Sequence, residues 1–399
     1  MTRVSMIVLS QYPGDPRVRR EAEALARHGI GVDIICYRNP DQEAVESYGL
    51  VTAHRIMTVR DKTSILRYLL FSQGFGLAAF LKLESLARRH RPALVQIHNM
   101  PDQLVFAAAL QRLRGVPVVL DLHDLMVELF ESKWHGARAR LLLPVVKLVE
   151  GLSCRFANRL ITTSEGFRKQ LLSRGIPDDK VTLVLNAADN HIFYRPADGV
   201  MERQARDGAA LTHPRLVYHG TVAHRFGIHV LIEAVALLRE RGLHPELRIH
   251  GKYDANYRPV LERLIADRGL GDSVLLGAYL THEEIRELLY RMDIGVVPYL
   301  RDSFMDLALS TKSFEYIAVG LPVVASRVDS MTALFSDRSL RYSEPGNAAD
   351  LADQIRRLCD APAERVELSR HADLEYAGIA WPAMEARYVS LIRSLMPPA

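Results

Sequence analysis

DLALSTKSFEYIAVGLPVVAS, residues 306–326, reads as a polar turn, a short helix opening near Ser310 and Thr311, a stop at Gly320 and a buried apolar strand over 322–325. A helix start presents unpaired backbone N–H groups and the positive end of a dipole, which suits an anion. Lys312 and Glu315 stand three residues apart and so share one face of the first turn. A cation and a carboxylate beside an anion-binding helix end suit a ligand with phosphate at one end and hydroxyls at the other. A sugar nucleotide has that character.

The helix-then-strand order of this stretch recurs outward. Towards the N-terminus, strands are expected over 4–10, 32–36, 93–98, 116–120, 160–163 and 181–185, with helices over 17–28, ending at 86–90, and over 101–113. Closer in, strands over 215–219, 246–250, 273–276 and 294–298 alternate with helices over 228–240, 257–268 and 282–291. Helices over 348–359 and 382–395 follow. Continuous apolar strands alternating with helices indicate parallel sheets covered on both faces, with ligands at the C-terminal strand ends.

The 399 residues are too many for one ordinary core and imply two domains. The segment 192–214 is polar, carries Pro196, Pro214 and the mixed-charge run MERQARDGAA, and reads as a linker over 193–213. Two Rossmann-like parallel-sheet domains facing across a cleft, 1–192 and 214–381, are the expected α/β architecture, with the C-terminal helix, 382–399, crossing back to the first.

Composition narrows the function. With 48% hydrophobic and 25% charged residues the chain is an ordinary globular one. A net charge of +4 and a pI near 8.9 leave room for anionic ligands. Nucleic acid is excluded as a partner, because no Lys/Arg run is interleaved with stacking aromatics and no zinc-finger spacing occurs. Cys36, Cys154 and Cys359 are too scattered for a disulfide framework or a metal cluster, which indicates a reducing cytoplasm. The N-terminus lacks the apolar core of a signal peptide, and no window offers the roughly 20 apolar residues of a spanning helix. Two basic, apolar segments, 62–91 and 133–159, read either as sheet-covering helices with solvated charges or as a surface that rests on anionic lipid.

The common nucleotide signatures are missing: there is no G-x-x-x-x-G-K-[ST] loop and no G-x-G-x-x-G after the first strand. The phosphates need another cradle. In 218–227, YHGTVAHRFG, Gly220 allows close backbone approach and Arg225 offers planar donors to a diphosphate. In the N-terminal half, His123 of DLHD and His98-Asn99 end consecutive strands on the ligand side of the sheet. Gly14, Asp15 and Arg17 occupy the first strand-to-helix loop.

Together these stretches resemble family 4 glycosyltransferases of the GT-B fold. The resemblance rests on YPGDPRVRREAEALARHGIGVDII, DLHD, TTSEGF at 162–167, LVLNAADNHIF at 183–193, YHGTVAHRFGIHVLIEA, GVVPY at 295–299, STKSFEYIAVGLPVVAS and Trp381 before the last helix. It implies a retaining, metal-independent hexosyltransferase that uses a nucleotide diphosphate-sugar as donor and no cofactor. By the same resemblance Arg225 and Lys312 neutralise the diphosphate, Ser310 and Thr311 add backbone donors, Glu315 accepts ribose hydroxyls, Gly14 and Gly220 border the donor, and His123 sits beside the transferred sugar. Asp15, Arg17, His98 and Asn99 fall on the acceptor side.

Three positions, in two places, depart from the family. Leu307 stands where a glutamate eight residues before the helix glutamate usually does, with Asp306 adjacent, and Thr221 and Phe226 replace the usual Arg and Lys of the first C-domain loop. The expected protein is thus a cytoplasmic glycosyltransferase, peripheral on the inner face of the plasma membrane. It would act on a glycan or lipid-linked acceptor in cell-surface polysaccharide or glycolipid synthesis. A GT-B sugar-nucleotide epimerase and a non-catalytic nucleotide-sugar- or glycan-binding partner are the alternatives.

Overall fold

The computed structural model describes residues 2–58, 65–134, 136–195 and 208–397. The chain divides into two compact units, Met1–Leu185 with Met384–Ala399, and Asn186–Ala383. Most of the linker expected over 193–213 lies outside the described residues, as do residues 62–64 and the side chains of 65–69 in the first basic segment.

The first unit carries eight strands: β1 (Arg3–Val8), β2 (Gly31–Arg38), β3 (Val45–Tyr48), β4 (Val51–Thr58), β5 (Leu94–His98), β6 (Val118–Leu122), β7 (Arg159–Thr162) and β8 (Val181–Leu183). They lie in the order β3-β4-β2-β1-β5-β6-β7-β8. Every pairing is parallel except β3 with β4, an antiparallel edge hairpin that the expected all-parallel sheet lacked. β1, β5 and β6 are buried along almost their whole length, as strands covered on both faces must be. Helix α1 (Pro16–Arg27) opens with Asp15 as its cap, the carboxylate accepting from the N–H groups of Arg17 and Val18. The other long helices are α2 (Ile65–Ala87) and α3 (Ala137–Phe156).

The α-helix expected over 101–113 is instead a 3-10 helix over Asp102–Ala108 that runs into one α-turn, Ala109–Leu113. Its start is tightened locally: Asp102 accepts from the Asn99 side chain, and Leu104 N–H bonds the Pro101 carbonyl. From Met384 onward the C-terminal helix belongs to this first unit. There Tyr388 donates to Gln96 on β5, and Arg27 of α1 pairs with Glu385.

The second unit holds β9 (Arg215–Val222), β10 (Glu246–Tyr253), β11 (Val274–Gly277), β12 (Ile294–Val297), β13 (Val323–Ser326) and β14 (Arg341–Ser343), all parallel, in the order β11-β10-β9-β12-β13-β14. Helix α4 (Thr311–Ala318) lies between β12 and β13. In both sheets the strand order reverses at one place, between β1 and β5 in the first and between β9 and β12 in the second. Loops leaving the sheet on either side of such a reversal part and open a crevice, where ligands of open α/β sheets bind.

Candidate functional site

In the second unit the crevice is built by the loops after β9 and β12 and by the start of α4. Ser310 caps α4 by accepting from Ser313 N–H, and its burial fixes the helix start in the protein rather than in solvent. Lys312, on the first turn, is only 6% exposed. Its ammonium donates to the Tyr299 hydroxyl at 2.6 Å and lies over the rings of Tyr299 (4.8 Å), Tyr218 (5.1 Å) and Phe226 (5.3 Å). Cation–π contact stabilises such a charge by about 0.5–2 kcal/mol per ring. Among the described residues no carboxylate lies within ion-pair distance of Lys312. A buried ammonium with three donors and a single oxygen partner is an electrostatic socket for an anion.

The loop after β9 is held against the loop after β12 by backbone shape. Gly227 takes φ +68°, and a Cβ there would sit 1.7 Å from the Pro298 carbonyl oxygen. Gly220, with φ +110°, lies so close to Lys312 that a Cβ would meet its Cε at 3.3 Å. Between them, Leu300 N–H bonds the Arg225 carbonyl, and the Arg225 guanidinium stacks over Phe304 at 5.6 Å. Thr311 is half-buried on the open side of the helix start.

Glu315 follows one turn after Lys312 and is 13% exposed, 3.1 Å from His219 Nε2 but without hydrogen-bond geometry. Burial, and then the Lys312 charge, hold His219 well below the ordinary histidine range, which favours its neutral form. Leu307 is half-buried, and the adjacent Asp306 turns a buried Oδ1 towards Arg301 at 3.8 Å with no hydrogen bond. Burial raises the Asp306 carboxyl above its usual range.

In the first unit the C-terminal ends of β5 and β6 carry a second cluster. His98 and Asp121 are register partners and fully buried. Arg17 reaches in from α1 and clamps Asp121 with two bonds of 2.8 Å, while also lying 3.1 Å from Glu21. Glu21 accepts from Gln96, itself held by Tyr388. Burial works against the Asp121 charge, but Arg17 and then His123 outweigh it and hold the carboxyl well below its usual range. Burial and the Asp121 charge push Glu21 up.

His123 is 22% exposed, with its Nε2 3.1 Å from Asp121 Oδ2 and its main-chain N–H donating to the Asn99 side-chain Oδ1 at 2.7 Å. Burial opposes charging of His123, yet Asp121 more than compensates and raises it. Asn99 donates to Asp102 and to the Asp124 carbonyl, and Thr163 donates to the His123 carbonyl.

His98, Asp121 and His123 present one ligand atom each within 4.8 Å of one another, the spacing of a metal site. The surroundings disfavour a cation. Arg17 Nε already lies 2.8 Å from the same Asp121 oxygen. A metal on His98 Nδ1 would also leave a proton on Nε2, which is buried without an acceptor.

The site residues read from sequence thus separate by environment. Ser310, Thr311, Lys312, Glu315, Gly220 and Arg225 gather at one strand end of the second unit. His98, Asn99 and His123 gather at one strand end of the first. Arg17 was expected to face an acceptor, but its donors are spent on Asp121, Glu21 and the Val184 carbonyl. Asp15 serves as a helix cap, and exposed Gly14 has ordinary room for a Cβ, 3.5 Å from the nearest atom. Tyr218, Phe226 and Tyr299, the cage of Lys312, escaped the sequence reading. Their aromatic character, with Tyr218 within β9, Phe226 in the loop after it and Tyr299 just after β12, was the available signal.

Residues 14–187 match the profile of the glycosyl transferase 4-like domain, and residues 213–361 that of glycosyl transferases group 1. D-inositol 3-phosphate glycosyltransferase of Pseudarthrobacter chlorophenolicus is 28% identical over 376 residues, which is 91% of this chain and 86% of the relative. Sucrose-phosphate synthase from Thermosynechococcus elongatus superposes with a TM-score of 0.78 at 19% identity, covering 99% of each chain. Anabaena HepE in complex with UDP superposes with a TM-score of 0.71 at 14% identity, covering 99% of this chain and 100% of that one.

Proposed function

The chain belongs to the family 4, group 1 glycosyltransferases of the GT-B fold and transfers sugar from a nucleotide sugar, and from that premise we propose that the second unit binds the donor through its diphosphate at Lys312. The observation that carries this reading is the buried ammonium, caged by three rings at a helix start and, among the described residues, with no carboxylate within ion-pair distance. A diphosphate supplies the missing counter-charge, and backbone N–H groups of Thr311 and its neighbours add donors. Arg225 adds planar donors on the other side, and Glu315 accepts from ribose hydroxyls.

The leaving nucleoside diphosphate develops negative charge as the bond to the sugar breaks. Fixed cations and the helix dipole stabilise that charge without a metal. The reaction is read as retaining and hexosyl, with His123 beside the transferred sugar or the acceptor. HepE was solved with UDP, which favours a uridine donor.

The acceptor is read as a glycan or lipid-linked molecule of cell-surface polysaccharide or glycolipid synthesis. No described helix is long and apolar enough to cross a membrane. On α3, Leu141, Val145, Leu148 and Leu152 are 48–79% exposed. Their spacing of four, three and four residues makes one stripe, flanked by exposed Arg140, Lys147 and Arg155. An apolar stripe flanked by basic residues favours an anionic lipid surface as its occupant.

Thermal stabilisation by a panel of UDP-, GDP- and dTDP-sugars, followed by transfer assays with the stabilising donor, tests the reading. Stabilisation by one donor class and sugar transfer that needs an acceptor are expected. Donor turnover without an acceptor would indicate the epimerase. Stabilisation without any turnover would indicate the binding module.

A further inference from the structure

His98, expected on the acceptor side, is fully buried at the ligand end of β5. Its ring stands edge-on to His123, centroids 5.3 Å apart at 70°. His98 Nδ1, His123 Nε2 and Asp121 Oδ2 are mutually 3.1 Å apart. A carboxylate oxygen only accepts, so the nitrogens facing it are held as N–H donors. Asp121 cannot swing away to choose one of them, because Arg17 clamps both of its oxygens.

The consequences for the two rings differ. His98 Nε2 is buried with no hydrogen-bond partner. A proton there would be a buried N–H without an acceptor, whereas Nδ1 faces Asp121 Oδ2, so the geometry places the His98 proton on Nδ1. His123 is part-exposed, and its Nδ1 has no partner among the described residues, so this ring is the one that can take up a further proton. Other charged groups around it are Asp121 on β6, Arg17 and Glu21 on α1 and Asp15 at the α1 start, of which Asp121 and Asp15 favour its charged form and Arg17 opposes it.

We infer that Asp121 and His98 are positioning residues that fix neutral His123 as the Nε2–H tautomer, so that bare Nδ1 is presented as a hydrogen-bond acceptor to a hydroxyl of the sugar or of the acceptor. The inference rests on the assignment of His123 to the ligand side. It assigns His98 a reason to be histidine: an Nδ1 donor on a rigid ring fills the space between Asp121 and His123 and leaves His123 one orientation. Glutamate or lysine there would bring an unpaired charge into a buried site, and an aliphatic residue would supply no donor.

The test uses the full-length protein with 15N-labelled histidine, whose ring nitrogen shifts report which atom carries the proton. His98 is expected to carry a proton on Nδ1, and neutral His123 to be the Nε2–H tautomer. His98→Asn retains a donor near the Nδ1 position and should preserve the His123 pattern and the pH profile of transfer. His98→Phe should give mixed His123 tautomers and lower kcat by about a hundredfold, with the donor KM unchanged. A neutral His123 protonated on Nδ1, or a His98 ring with a bare Nδ1, would overturn the inference. So would a His98→Phe protein with both the His123 tautomer and kcat unchanged. The tautomers are read without substrate. A failure of the glycosyl-transfer reading would therefore appear only in the kinetics, and a failure of this inference already in the spectra.

Discussion

Asp102 offers a test in which the sign and the size of a pH effect follow from one buried group. It opens the 3-10 helix, is fully buried, and accepts from Asn99 through Oδ1 while Oδ2 has no partner. Burial pushes its carboxyl from 3.8 to about 7, against the Asn99 bond, which pulls the other way. The folded protein thus holds a proton that the unfolded chain releases near 3.8. Between those values the native state binds more protons, so stability falls as pH rises from about 4 to about 7 and is level above that. A shift of roughly three units at 1.36 kcal/mol each amounts to about 4 kcal/mol, an upper figure for the effect of this group. Asp102→Asn keeps an acceptor for Asn99 and cannot ionise. Its amide N–H groups find no acceptor, which costs about 1–3 kcal/mol at pH 5, but the variant should regain ground by pH 8. Urea unfolding of both proteins at pH 5 and pH 8 measures the comparison, and groups that titrate alike in both cancel. The same pH dependence in wild type and Asp102→Asn would refute the reasoning.

Three further outcomes follow from the packing. Gly227→Ala should cost several kcal/mol in urea unfolding, beyond the roughly 1 kcal/mol of an ordinary strained glycine site, because its Cβ would overlap the Pro298 oxygen at 1.7 Å. Arg17→Ala leaves Asp121 and Glu21 buried without their cation and should destabilise the first unit by about 3–5 kcal/mol, measured the same way. Leu148→Glu on the exposed stripe of α3 should leave unfolding unchanged within about 0.5 kcal/mol while abolishing flotation with anionic vesicles.

The alternation of apolar strands and helices was legible because each central strand is buried on both faces and reads as an unbroken apolar run. The β3–β4 hairpin was not, since exposed Val45–Tyr48 lies at a sheet edge and carries no buried pattern. Leu104, Val105, Ala107 and Ala108 are buried with a spacing that suits an α-turn as well as the 3-10 helix they form. Helix Pro362–Ala377 was missed because its buried side, Arg365, Leu368, Ala372 and Tyr376, includes an arginine. The Leu358, Cys359 and Ala209 carbonyls receive the buried Arg365 guanidinium.

At the candidate site, Lys312 and Glu315 were legible from helical spacing alone. The cage was not, because Tyr218, Phe226 and Tyr299 come from segments as much as 81 residues apart. Phe226, a departure from the family pattern in sequence, is in the fold a wall of the Lys312 socket. Arg17 shows the reverse error: a loop-side cation read as ligand-facing proves to be the partner of Asp121, 104 residues away.

The central claim, that the caged ammonium of Lys312 is the diphosphate socket, is tested most directly by calorimetric titration of the stabilising nucleoside diphosphate into wild type and Lys312→Met. Methionine fills the cage without a charge, so the fold should persist while the dissociation constant rises by at least about thirtyfold, the equivalent of 2 kcal/mol or more for a buried charge pair. An unchanged dissociation constant in a folded Lys312→Met protein would contradict the account.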